Sequence, residues 1–186
     1  LRELSIHCSP KYIHPKSFNS GVWCTQEMYW YQIKQVKTKD IAKVNVELGE
    51  DKPSILLGNV LILYRSFDFE KYFTLQEYEK KKIILDILHN ELLALSNEHE
   101  LDREMLIRAY NYCMEKNLEN KWIFKEKFYR SPNHQYFGAM ECYWETDKFS
   151  VTGVIYDKNK NEISRQLLVK TEPYFGDFIY YCKCGW

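Results

Sequence analysis

Gln135-Tyr136-Phe137-Gly138-Ala139-Met140-Glu141-Cys142-Tyr143-Trp144-Glu145 is the stretch on which the reading of this chain turns. Tyr136, Gly138, Met140, Cys142 and Trp144 alternate with Phe137, Ala139, Glu141 and Tyr143. Phe149 to Tyr156 repeats the pattern, with Phe149, Val151, Gly153 and Ile155 set against Ser150, Thr152, Val154 and Tyr156. A period of two places one set of side chains on a buried face. Polar turns flank both runs: Ser131 to His134 before, Thr146 to Lys148 between, Asp157 to Asn161 after. Glu162 to Lys170 follows, with Ile163, Leu167 and Val169 marking an inner face that Arg165 interrupts. Trp122, Phe124 and Phe128 lead in. Links this short favour antiparallel neighbours, so residues 122–172 read as a β-meander. Pro173 ends the run, and Phe178 to Cys182 has the composition of a last edge strand.

Upstream of this sheet the pattern changes. Thr74-Leu75-Gln76-Glu77 fits a capping box, with Phe73 and Tyr78 as its hydrophobic staple. The helix it opens is predicted to run to about Leu95, with Tyr78, Leu85, Leu88, Leu92 and Leu95 on one stripe. Asp102 reads as the next N-cap, with Leu101 and Leu106 as its staple, and that helix is predicted to reach Lys116, burying Leu106, Ala109, Tyr110 and Cys113. A short link makes the two an antiparallel pair. Ile41 to Leu48 alternates as a half-exposed strand. Asn59 to Tyr64 is nearly continuous in apolar residues, as expected of a central strand covered on both faces. Met28 to Val36 alternates Tyr29, Tyr31 and Ile33 with Trp30, Gln32 and Lys34, which favours a strand, although Thr25 is also placed to cap a short helix. Residues 1–23, punctuated by Pro10, Pro15 and Gly21, read as an irregular lead-in with a short strand near Leu4 to His7. The expectation is a single α+β domain over 1–186. It comprises the lead-in, strands over 24–65, a helix pair over 74–117 and the meander, in a mostly antiparallel sheet on which the helical hairpin packs.

Composition narrows the function classes. The chain has 26 Lys and Arg against 26 Asp and Glu, a net charge of zero, whereas dedicated nucleic-acid binders carry a basic excess. Aromatic residues make up 16%, with 15 Tyr and 10 Phe, which serves either sheet packing or an aromatic binding face. No apolar run approaches the ~20 residues that span a bilayer, and no signal-peptide core is visible near Leu1. The chain starts with Leu rather than Met, so removal of a leader or of a few native residues is one reading. Six cysteines (Cys8, Cys24, Cys113, Cys142, Cys182 and Cys184) in 186 residues are too sparse for a disulfide framework. A cytoplasmic, reduced protein is expected.

No Walker loop, dinucleotide fingerprint, nucleophile elbow or HExxH helix is present. Cys182-Lys183-Cys184 lacks the second knuckle of a zinc site, and the histidines at 7, 14, 89, 99 and 134 share no spacing, so neither metal nor other cofactor is expected. Cys8 or Cys24 with a distant His and Asp would satisfy the elements of a triad, as any chain of this composition would. Trp122, Lys125, Lys127, Tyr129 and Arg130 interleave bases with aromatics, but on a strand Lys125 and Lys127 form the wet face opposite Phe124 and Phe128. Glu98, Glu100, Asp102 and Glu104, with His99 and Arg103 between them, form the densest acidic cluster. Acids there offset a helix dipole by about 0.3–1 kcal/mol each. On an exposed turn they also make a surface complementary to a basic partner, and they are the candidate partner-binding residues.

The strand region carries a resemblance. Arg130-Ser131-Pro132-Asn133, Tyr136-Phe137, Asp147-Lys148-Phe149 and Asp157-Lys158-Asn159-Lys160-Asn161-Glu162-Ile163, with the helix pair from Thr74, resemble the small α+β immunity proteins encoded beside polymorphic or contact-dependent bacterial toxins. The likeness covers the C-terminal two-thirds, and the family shares no motif from which a functional residue is carried over. It implies a non-enzymatic protein partner, a toxin whose active site is occluded, with neither nucleic acid nor membrane as ligand. A small enzyme or ligand-binding domain with a pocket between helices and sheet is the second expectation. A structural or assembly subunit is the third.

Overall fold

The computed structural model describes residues 1–11 and 15–174, and the predicted strand at Phe178 to Cys182 and the Cys182/Cys184 pair lie outside them. The chain divides into two compact units, Leu1–Leu118 and Glu119–Trp186. It is an α+β protein with an antiparallel meander at its C-terminal end.

The first unit contains strand β1 (Glu3–Cys8), helix α1 (Pro15–Ile33), strands β2 (Lys43–Gly49), β3 (Ile55–Leu57) and β4 (Val60–Ser66), and helices α2 (Phe69–Thr74), α3 (Glu77–Leu95) and α4 (Arg103–Glu115). Its sheet has the order β1-β2-β4-β3. The first two pairings are parallel, and only β3–β4 is antiparallel, across the two-residue link Gly58-Asn59 in which Gly58 takes φ 62°. The inward row of Leu4, Ile6, Cys8, Val44, Val46, Leu48, Leu61 and Leu63 shares one core with Phe18, Val22, Tyr29 and Ile33 of α1, Ile84, Leu85, Leu88 and Leu92 of α3, and Leu106, Ala109 and Cys113 of α4.

Several expectations are corrected here. The short strand expected near Leu4 to His7 is β1, but the lead-in also holds the start of α1, with Pro15 at a first helical position, where its missing N–H costs no bond. Met28 to Ile33 belongs to that helix and not to a strand, because the buried residues Phe18, Val22, Tyr29 and Ile33 keep the helical period. Tyr31, which a strand would bury with them, is 59% exposed. The sheet of this unit is mostly parallel, whereas antiparallel pairings predominate over the chain as expected. In β4, Val60, Ile62 and Tyr64 are only half-buried, so this central strand has one covered face. The capping box falls two residues late. Thr74 ends α2 and donates its hydroxyl to the Lys71 carbonyl, while the Gln76 N–H donates to the Glu79 carboxylate at 3.0 Å. Phe73 and Tyr78 are exposed and form no staple. Asp102 caps α4 as expected. Contacts of Arg103 with Ser96 and of Tyr110 with Lys82 run α3 and α4 antiparallel.

The two edges of this sheet differ. The N–H groups of Ile6 and Cys8 are taken by side chains of α1, donating to Gln26 Oε1 at 3.0 Å and Asn19 Oδ1 at 2.9 Å. At the other edge β3 pairs with β4 on one side only, and Ile55, Leu56 and Leu57 are 43%, 51% and 60% exposed.

The second unit is the predicted meander: β5 (Asn120–Ile123), β6 (Tyr129–Arg130), β7 (Phe137–Trp144), β8 (Phe149–Tyr156) and β9 (Glu162–Thr171), all antiparallel, in the order β5-β7-β8-β9 with β6 also on β7. Gly138, Met140, Cys142 and Trp144 are buried with Phe149 and Val151 as the alternation predicts, but Tyr136 and Ile155 of the same rows are exposed, and Ala139 and Val154 of the opposite rows are buried. The basic-aromatic run is not one strand. Lys125 and Glu126 adopt φ 54° and 53° in a 3-10 turn that separates β5 from β6, so no flat stacking face forms. Ile163 and Leu167 do not face inward, since β9 is exposed along most of its length and its register with β8 shifts twice.

Candidate functional site

The predicted acidic residues lie on the link between α3 and α4, and the fold holds that link firmly. Ser96 closes α3 by donating its hydroxyl to Leu93 O at 2.7 Å. Asp102 opens α4, its carboxylate accepting the Met105 N–H at 3.0 Å. Between them Glu100 adopts φ 56°, the left-handed conformation that reverses the chain. Leu101 and His99 point inward and are buried.

His99, which the sequence places between the acids without a role, anchors the turn. Its Nδ1 lies 2.6 Å from Asp40 Oδ1, and its carbonyl accepts the Lys39 N–H at 3.1 Å. The hydrogen bond with His99 holds the Asp40 carboxyl below the usual carboxylate range. These contacts tie the acidic turn to the 34–42 loop after α1. The four candidate residues thus have different roles. Asp102 is occupied as a cap. Glu100 pairs with Lys39 at 3.5 Å, and Glu104 with Arg108 at 3.5 Å. Both pairs are solvent-exposed and weak by nature. Glu98 is exposed and has no ion-pair partner among the described residues. The turn presents Glu98, Glu100 and Glu104 to solvent as a preformed group.

The neighbouring loop has the opposite sign. Lys34, Lys37 and Lys39, with Arg2 just before β1, line a cleft of about 490 Å³ whose only acid among the described residues is Asp40. The surface around the turn is therefore dipolar rather than simply acidic. The lysine spacing was visible in the sequence. The arrival of Arg2 beside it was not, because that depends on β1 pairing with β2.

A second constellation joins three helices. Tyr29 OH and His89 Nδ1 are 3.0 Å apart, and the His89 ring stacks on Tyr110 with centroids 4.4 Å apart. Tyr110 OH donates to Asp86 Oδ1 at 2.9 Å, and Lys82 Nζ donates to Asp86 Oδ2 at 2.6 Å and to Tyr110 OH at 2.8 Å. Burial lowers the His89 pKa and raises that of Tyr29. Burial opposes the charge of Lys82, but its bonds to Asp86 and Tyr110 outweigh that and raise its pKa. These groups satisfy one another, which makes the network a lock between α1, α3 and α4.

The candidate nucleophile Cys24 is buried, and burial pushes its thiol up to about 11, so it stands as a protonated core residue rather than an activated thiolate. Cys8 is likewise buried, with its pKa raised by burial. Among the described residues no helix is long and apolar enough to cross a membrane. Comparison of the chain with models of known families, with curated proteins and with solved structures returned no match.

Proposed function

We propose that this chain is a non-enzymatic binding protein of the bacterial immunity type, which neutralises a cognate toxin by covering the toxin's active site. The observation that carries the reading is the 96–104 turn. It is fixed by the Asp102 cap and the Asp40–His99 contact, and it holds Glu98, Glu100 and Glu104 outward. A preformed group of carboxylates steers encounter with a basic cleft such as that of a nuclease and loses little entropy on binding. Affinity purification from the native host identifies the partner. A double charge reversal, Glu98→Lys with Glu104→Lys, is expected to slow association about tenfold or more at low salt and to have little effect at ~1 M salt, where the Debye length falls to about 3 Å. Recovery of a basic partner whose association is indifferent to this substitution would sink the proposal.

The helix network favours a second reading, a small enzyme or ligand-binding domain, because polar groups with shifted titration converge there. Under that reading Lys82→Met abolishes an activity without unfolding the chain. Under the first it only destabilises the helix trio.

A further inference from the structure

The cleft at the amino ends of the parallel strands shares Asp40 and Lys39 with the anchoring of the acidic turn, but its cations are not used in the toxin-binding proposal. Arg2, Ala42 and Asn59 immediately precede β1, β2 and β4, and the backbone stitches them together. The Arg2 N–H donates to Ala42 O at 2.6 Å and the Ala42 N–H to Asn59 O at 2.8 Å. The cleft therefore has a rigid floor made by three strand starts, and the 34–42 loop forms its wall. Its volume of about 490 Å³ falls within the ~300–1,000 Å³ of small-molecule sites.

The charges on it are only partly cancelled. Lys34 Nζ sits 3.7 Å from the centre of the Tyr31 ring, a contact that keeps the cation without neutralising it. Lys39 shares its charge with Glu100 at 3.5 Å. Asp40 is engaged by His99. Among the described residues neither Arg2 nor Lys37 has a carboxylate partner. One lysine near the end of α1 would serve the helix dipole. Four cations around one concave floor exceed that requirement.

We propose that this cleft binds a small multivalent anion, either a phosphate-bearing compound or a polycarboxylate. Arg2 and Lys37 make the charged hydrogen bonds to it, and Lys34 and Lys39 supply longer-range attraction. This reading stands apart from the toxin-binding one, and either can fail alone.

The test is a titration of ¹⁵N-labelled protein with sodium pyrophosphate and, separately, sodium citrate, following amide resonances at constant ionic strength. Saturable shifts confined to residues 37–42 and Asn59 are expected with at least one of them. The tighter probe tells phosphate-bearing from polycarboxylate ligands. Arg2→Gln and Lys37→Gln are each expected to weaken binding about tenfold, the effect of one charged contact. Lys158→Gln, on the exposed loop of the other unit, should leave it unchanged. Both cleft residues are exposed, so thermal melts of the variants should overlay the parent. Shifts that rise linearly without saturation, that sodium chloride reproduces, or that persist in the Arg2→Gln/Lys37→Gln double variant would overturn the proposal.

Discussion

The two sheets of this protein are stabilised in different ways. In the first unit β1, β2 and β4 run parallel, and each contributes one inward row to a core built mainly with three helices. In the second, every strand pairs antiparallel with a neighbour close in sequence, and the last strand lies largely exposed. The first sheet therefore depends on distant partners. The second depends on hairpins, which set their own register.

This contrast predicts where damage is felt. Leu88, fully buried among the helices, is expected to lose about 2–5 kcal/mol on replacement by alanine, measured by urea denaturation. Leu167→Ala in β9, 56% exposed, should change stability by no more than about 0.5 kcal/mol. An equal cost at both sites would erase the distinction. Next in size is Gln26→Leu, which takes the acceptor from the buried Ile6 N–H and is expected to cost about 1–3 kcal/mol. Amide exchange at Ile6 should accelerate while that of Cys8, bonded to Asn19, changes less.

Acid should weaken the first unit through His89. Its pKa is lowered by burial, so the unfolded chain takes up the proton more readily than the folded one. The stability this group contributes is complete above its ordinary value near 6.5. It is lost as pH falls from there through the lower folded value. His89→Phe should flatten that part of the pH–stability curve, and an unaltered curve would remove His89 from the account. The smallest effect is expected at Arg165, whose pairs with Glu141 and Glu162 are exposed. Arg165→Ala should melt within error of the parent, and the surface of the meander would need reappraisal if it did not.

The same contrast explains what could be read in advance. The alternation of Met140, Cys142 and Trp144 with Glu141 and Tyr143 is local, and the meander follows from it. The caps at Asp102 and the acidic turn are local too. The parallel sheet was illegible because Leu4 meets Val44 and Val44 meets Leu61, pairings that no short window contains. Helix α1 reads as a strand because Tyr29 and Ile33 satisfy both periods, and the packing of Phe18 and Val22 with the exposure of Tyr31 decides between them. At the candidate site the carboxylates were visible, but the anchor was not. Asp40 and His99 are 59 residues apart in sequence and meet only in the folded chain. The cationic cleft was missed for the same reason, since Arg2 and Asn59 become neighbours only through β2.

Asn19 and Gln26 have a consequence beyond the N–H groups they satisfy. An open-ended fibre needs two receptive borders on every subunit, one to accept and one to offer. In the first sheet these two side chains occupy the Ile6 and Cys8 N–H groups of the β1 border, and among the described residues the short β3 border is the bare one. Strand-to-strand growth from that sheet ends after one addition: two copies can meet there, and a third finds no place.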